Sequence, residues 1–274
     1  MFPTTIGLSP DGAWALVPNS DFHGDRGRQN TVSVLYTQDL TQLVEIPTCD
    51  MPHGSRFNHR GTAVYIACMM SDELVQIDPS VLGIVKRIPL GSGTPAAHAE
   101  HGGAAGPPPL PPGAPRRLGA ASSTMPGQNP DCLTTYVSVS PDDATVYLAC
   151  NHSNELQVRD AASLELLRRL PTGDGAYNVE PSPDGRWVLV TNKKGHSVSV
   201  FETANWREAA RIPTSKRVPH GIAFSPDGRY AFVTVESVGS DLGAVDAIDL
   251  ATLTRVASMD IRRQPTGIAV WRGR

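Results

Sequence analysis

Apolar and polar residues alternate along this chain in short runs, and the runs come in pairs around a polar turn. From Val218 to Asp249 the order is Val-Pro-His-Gly-Ile-Ala-Phe, then Ser225-Pro226-Asp227-Gly228, then Arg-Tyr-Ala-Phe-Val-Thr-Val, and after a polar gap Ala-Val-Asp-Ala-Ile-Asp. Alternation with period two makes each run a strand, and Pro-Asp-Gly closes the pair as a hairpin because Pro presets φ and Gly accepts positive φ. The turn recurs as Ser9-Pro10-Asp11-Gly12, Asn58-His59-Arg60-Gly61, Ser140-Pro141-Asp142-Asp143 and Ser182-Pro183-Asp184-Gly185. Ser140 to Ser182 spans 42 residues, Ser182 to Ser225 spans 43 and Ser9 to Asn58 spans 49, the size of a four-stranded module. A third strand ending in Asp follows (Val75–Asp78, Gln157–Asp160, Ala247–Asp249), then a fourth (Val85–Ile88, Leu166–Leu170, Ala209–Ile212). With no helical periodicity, this pattern predicts an all-β chain, a β-propeller of four-stranded antiparallel blades.

The expected organisation is one propeller domain over residues 1–274, with about five full blades and one further strand. The units run Thr4–Thr48, Cys49–Gly91, Cys132–Gly173, Asp174–Ser215 and Lys216–Arg263, and Gln264–Val270 repeats an opening strand, so the ring reads as incomplete. Residues 92–130 interrupt the series as an inserted flexible loop rich in Pro, Gly and Ala. Such a composition supplies neither ladder donors nor a packed face. The connection Asn19–Gln29 holds Asp21, His23 and Asp25, but it lacks the closing bidentate Glu of a Ca²⁺ loop and reads as solvated.

Charge narrows the function classes. The chain carries 24 Lys and Arg against 27 Asp and Glu, a net charge of −3 with both signs interleaved, so there is no basic footprint for nucleic acid. No apolar run approaches the ~20 residues of a membrane helix, and Met1–Thr5 lacks the basic start and apolar core of a signal peptide. A nucleophile elbow, a phosphate-cradling loop, His-Glu-x-x-His and a haem-attachment motif are all absent from the sequence, so a non-enzymatic role is the primary expectation.

Units of the form Pro-x-Gly-Ile-Ala-x-Ser-Pro-Asp-Gly, a strand reading Val-Thr-Asn, a strand ending Ile-Asp and then Arg-Ile-Pro-Thr resemble the YVTN-type β-propeller repeat proteins, the YncE-like and surface-layer-type propellers. Trp187–Asn192 and Arg211–Thr214 carry the resemblance most fully, and it covers the chain outside Ser92–Pro130. The resemblance implies a seven-bladed ring with about two blades preceding Met1, and a periplasmic or extracellular location. It does not fix a function, since similar propellers include surface-layer proteins, lactonases and the haem or copper domains of nitrogen-oxide reductases.

Hairpin geometry places the residues before each first strand beside those after each second strand. The first set is Thr4, His53, Thr135, Tyr177, His220 and Thr266; the second is Asn19, Cys68, Cys150, Asn192 and Val235. Ligands of propellers gather where such residues converge on the channel. The primary expectation is therefore an exported scaffold that binds a protein, glycan or small ligand through His53, Tyr177, Asn192, Lys193 and His220. An alternative is a metal-handling propeller, for which His53, Cys68, Met69, Met70, Cys150, His152 and His220 form a soft donor set suited to copper. His98, His101 and Met125 in the inserted loop would add to it. Against that, His53 and His220 could simply fill the channel, and Met69 and Met70 could be rim packing. Cys49 with Cys68 and Cys132 with Cys150 flank equivalent hairpins, 19 and 18 residues apart, so two disulfides compete with thiolate ligation. A lactonase-like hydrolase is the second alternative, with Glu180, Glu236 and Lys193 as the charged groups near the channel.

Overall fold

The structure, a computed structural model, describes residues 2–21, 30–91 and 131–270. Among these residues every regular element is a strand, and the strands form five antiparallel sheets. In blade one, β1 (Phe2–Pro3) and β2 (Gly7–Leu8) both pair with β3 (Trp14–Ser20), followed by β4 (Thr31–Tyr36) and β5 (Gln42–Pro47). Blade two is β6 (Pro52–Phe57), β7 (Val64–Cys68), β8 (Glu73–Asp78) and β9 (Gly83–Pro89). Blade three is β10 (Thr134–Val139), β11 (Thr145–Cys150), β12 (Glu155–Asp160) and β13 (Leu166–Pro171). Blade four is β14 (Ala176–Pro181), β15 (Trp187–Asn192), β16 (Ser197–Glu202) and β17 (Arg207–Pro213). Blade five is β18 (Pro219–Phe224), β19 (Tyr230–Val235), β20 (Gly243–Asp249) and β21 (Thr254–Ile261). The chain is a β-propeller, with each blade in simple sequence order.

The apolar positions of the sequence become four cores, one between each pair of neighbouring blades. Leu16, Val32 and Val34 of blade one meet Phe57, Val64 and Ile66 of blade two. Trp187, Leu189 and Val200 of blade four meet Ile222, Val233 and Ile248 of blade five. Burying a Val, Leu or Phe side chain contributes about 1.5–3 kcal/mol, so blade stacking is the principal source of stability. The second strands are central, and all six residues of β15 are buried. The fourth strands are outer edges, and β21 is exposed over seven of its eight residues.

The turns behave as their residues require. Ser9 Oγ donates to Asp11 Oδ1 at 2.6 Å, and Asp11 Oδ1 accepts the Ala13 amide at 3.0 Å; Ser225, Asp227 and Arg229 repeat the arrangement. In blade two Asn58 takes over, its Oδ1 accepting the amides of Thr62 and Ala63 at 2.8 and 3.0 Å. Asp143 occupies the Gly slot with φ at 60° and accepts the His59 and Arg60 amides of the neighbouring turn at 2.8 and 3.0 Å.

At the end of the second strand, blades one and four hold an Asn. Asn19 donates to Thr31 and Ser33, and Asn192 donates to Ser197 and Ser199. Blades two and three hold Cys68 and Cys150 there, joined to Cys49 and Cys132 as disulfides with Cα separations of 5.9 and 4.5 Å. The expected strand over Gln264–Val270 is not formed. A strand needs a ladder partner, and among the described residues none pairs with this segment. It is instead held against blade five, where Thr234 Oγ1 donates to the Thr266 carbonyl at 2.9 Å.

Candidate functional site

Each first strand of blades two to five carries an extra residue near its start. The register shifts between Pro52 and Ser55, Thr134 and Tyr136, Ala176 and Val179, and Pro219 and Ile222. A bulge unpairs the backbone and re-aims side chains, and here the freed backbone is used between blades. Thr4 and Thr5 hydroxyls donate to the His53 carbonyl at 2.9 and 2.7 Å. Thr135 Oγ1 donates to the Tyr177 carbonyl, and Thr191 Oγ1 to the His220 carbonyl at 3.0 Å. These bonds join successive blades around the axis and fix where His53, Tyr177 and His220 stand.

Glycine completes the arrangement in blade two. A Cβ on Gly54 would lie 2.8 Å from Tyr136 Cα and 2.9 Å from the Thr135 carbonyl oxygen, so only Gly lets β10 approach β6. The first strands then bring four rings into one cluster. Tyr136 lies 5.2 Å from His53, 5.5 Å from Tyr177 and 6.1 Å from His220 between centroids, and Tyr177 lies 4.5 Å from His220. Lys193 Nζ sits 4.1 Å above the Tyr177 ring and 3.0 Å from Glu236 Oε1. His220 Nε2 is 3.4 Å from the same carboxylate oxygen.

The hydrogen bonds assign the tautomer of His53. His53 Nδ1 is 2.8 Å from the Thr135 carbonyl, an acceptor, so Nδ1 carries the proton and Nε2 accepts from the Tyr177 hydroxyl at 3.3 Å. Burial, with the Lys193 charge adding to it, pushes His53 down to about 4. Burial, then Lys193 and His53, push His220 down to about 3. Desolvation disfavours the charged form of every group here. It raises Tyr136 to about 12 and raises Tyr177 as well. At neutral pH the cluster therefore holds two neutral imidazoles and two protonated phenols, all able to take part in hydrogen bonds.

Beneath this cluster is a cavity of about 720 Å³ that extends to the turn residues Pro141 and Pro183 at the opposite ends of the first strands. Its wall includes a second charge pair, in which Arg56 Nη2 of blade two binds Glu180 of blade four. Glu180 also accepts the Ser138 hydroxyl at 3.0 Å. Tyr136 and Asn178 also line the cavity, whereas Lys193 and Glu236 do not.

The structure thus brings His53, Tyr177, Lys193 and His220 together, and two of the charged residues noted in the sequence, Glu180 and Glu236, join the charge pairs. Asn192 is not with them. Its amide is fully buried and bonded inside blade four, because the strand pleat turns consecutive residues to opposite sides. Cys68 and Cys150 are corrected as candidate metal ligands, since their sulfurs are committed to disulfides. Met70 is 42% exposed and His152 is exposed; neither these nor Met69 line the cavity. Among the described residues no group of three or more His, Cys, Asp or Glu side chains is placed to hold a metal ion. His23, Asp25, His98, His101 and Met125 lie outside the described residues. Sequence reasoning does not find Tyr136, Asn178 or Arg56. The bulge displaces Tyr136 and Asn178 from the strict alternation, and a Gly in the equivalent place of blades two and five was the one visible signal.

No family model matches the chain, and no curated protein matches it. Solved structures do. Hydrazine synthase of Kuenenia stuttgartiensis superposes with a TM-score of 0.66 at 20% identity, covering 90% of this chain and 63% of that one. The dihydro-heme d1 dehydrogenase NirN in complex with DHE gives 0.61 at 17% identity, covering 93% and 46%. The chain spans less than two thirds of either neighbour, and at such identities the likeness bears on the β-propeller fold alone.

Proposed function

We propose that this protein is a non-enzymatic, exported binding scaffold that holds a small organic ligand in the channel cavity between the His53–Tyr136–Tyr177–His220 cluster and the Arg56–Glu180 pair. The observation that carries this reading is the cavity itself. At about 720 Å³ it falls within the ~300–1,000 Å³ of small-molecule sites, and aromatic and polar side chains converge on it from several blades. Export is supported by two disulfides, which persist in oxidising compartments. Membership of the YVTN-type propellers belongs to the same reading and rests on the repeat residues.

Copper is the weaker reading, because among the described residues only His53 and His220 of its donor set line the cavity, and the Lys193 charge acts on both. For the lactonase reading, the carboxylates of Glu180 and Glu236 are engaged by Arg56 and Lys193. A ligand-observed NMR screen of a fragment library against the whole chain tests the proposal. Binders should be lost or weakened at least tenfold in Tyr136→Ala and in Arg56→Ala, for which melting curves verify the fold. A library without binders, or binders indifferent to both substitutions, would defeat it. Elemental analysis showing copper retained by the unmutated protein and lost in His53→Ala would favour the metal instead.

A further inference from the structure

The channel cavity also states what kind of ligand suits it; resting on the binding function just proposed, we propose that the ligand is an uncharged polyhydroxyl molecule, a neutral mono- or disaccharide or a polyol. Three features of the wall point there. The first is charge. On the wall Arg56 is already paired with Glu180, and Lys193, outside the lining, is paired with Glu236 at 3.0 Å. A carboxylate or ammonium ligand would have to take one partner from a pair and leave the other half-buried and uncompensated, which opposes binding of either sign.

The second feature is the hydrogen bonding left over. Arg56 Nε is a buried donor without a hydrogen bond among the described residues. Asn178 Oδ1 is a buried acceptor in the same state, on a residue 5% exposed that lines the cavity. Buried polar atoms without partners are rare and call for an explanation. A carboxylate could serve only the donor and an ammonium only the acceptor, whereas each hydroxyl donates and accepts.

The third feature is shape. The Tyr136 ring lines the cavity with His53 and His220 standing edge-on to it, at interplanar angles of 77° and 87°. An aromatic wall beside hydrogen-bonding side chains suits a pyranose, which carries hydroxyls around its rim and C–H groups on its faces.

Titration calorimetry of the whole chain with glucose, maltose, cellobiose and myo-inositol, alongside glucuronate and glucosamine, tests the inference. The expected result is saturable binding of at least one neutral compound, with glucuronate and glucosamine at least tenfold weaker than glucose. Asn178→Ala should weaken the neutral ligand about tenfold without changing the preference between glucose and its charged analogues. Equal or tighter binding of a charged analogue overturns the neutral class while leaving the cavity a binding site. The neutral class is equally overturned if no saccharide or polyol binds while library fragments do. If neither panel binds, the binding function itself fails and this inference falls with it. The comparison of glucose with glucuronate needs no variant, so it stands even if Asn178→Ala does not fold.

Discussion

Removing the Cys132–Cys150 disulfide by the double substitution Cys132→Ala and Cys150→Ala isolates what a covalent tie adds at a position where other blades use an Asn amide. The bond joins the residues leading into β10 to the end of β11 across a separation of 18 residues. For a loop of that length the chain-entropy relation gives about 3 kcal/mol, because the open unfolded chain regains the conformations the bridge denied it. Both sulfurs lie in a packed core, Cys132 at 1% and Cys150 at 0% exposure, so replacing them by Ala adds a small packing loss in the same direction. For a chain of this size each kcal/mol corresponds to roughly 2–4 °C, so the double variant should melt roughly 6–12 °C below the parent. Differential scanning calorimetry in non-reducing buffer measures this, with reductant added to the parent as a control. A variant melting within ~2 °C of the parent would refute the reasoning and show that the Asn-type interactions of blades one and four hold the strand ends as well as a bridge does.

Other expectations follow from the same geometry. Acidification should destabilise the protein: with His53 held at about 4 and His220 at about 3, both below the ~6.5 of an unfolded chain, the unfolded chain takes up protons first. Their stability contribution is therefore full above ~6.5 and falls as pH drops toward 4, by on the order of 3 kcal/mol for His53 alone. Denaturant midpoints at neutral and acid pH measure the slope, and His220→Gln should flatten it; parallel slopes would contradict the assignment. Val218 stands at φ 67° immediately before Pro219, a left-handed conformation that strains a β-branched residue by about 1–3 kcal/mol. Val218→Gly should stabilise the fold by about 1 kcal/mol after the unfolded-state entropy of Gly is deducted, and a lowered melting temperature would count against it. Gly54→Ala should cost about 1–3 kcal/mol, since its Cβ would press on the Tyr136 and Thr135 backbone; urea unfolding reads the difference, and no change would mean that β10 can shift.

What the sequence determined by itself was the part of this protein that repeats. Period-two alternation, the Ser-Pro-Asp-Gly turns and the spacing of units are local signals, and they carry the strands, the blades and the end of each blade at which His53, Tyr177 and His220 stand. Even the two disulfides were legible among the alternatives, because Cys49, Cys68, Cys132 and Cys150 flank equivalent hairpins. Tertiary structure decided what fills the channel. A one-residue bulge in the first strands of blades two to five breaks the period-two alternation, turning Tyr136 and Asn178 into the cavity while the pleat turns Asn192 away. The Arg56–Glu180 pair joins residues 124 apart in sequence, and no local pattern marks an ion pair that exists only because blades two and four curve around the same axis. Repetition is written in neighbouring residues, but the contents of the channel depend on how the copies meet.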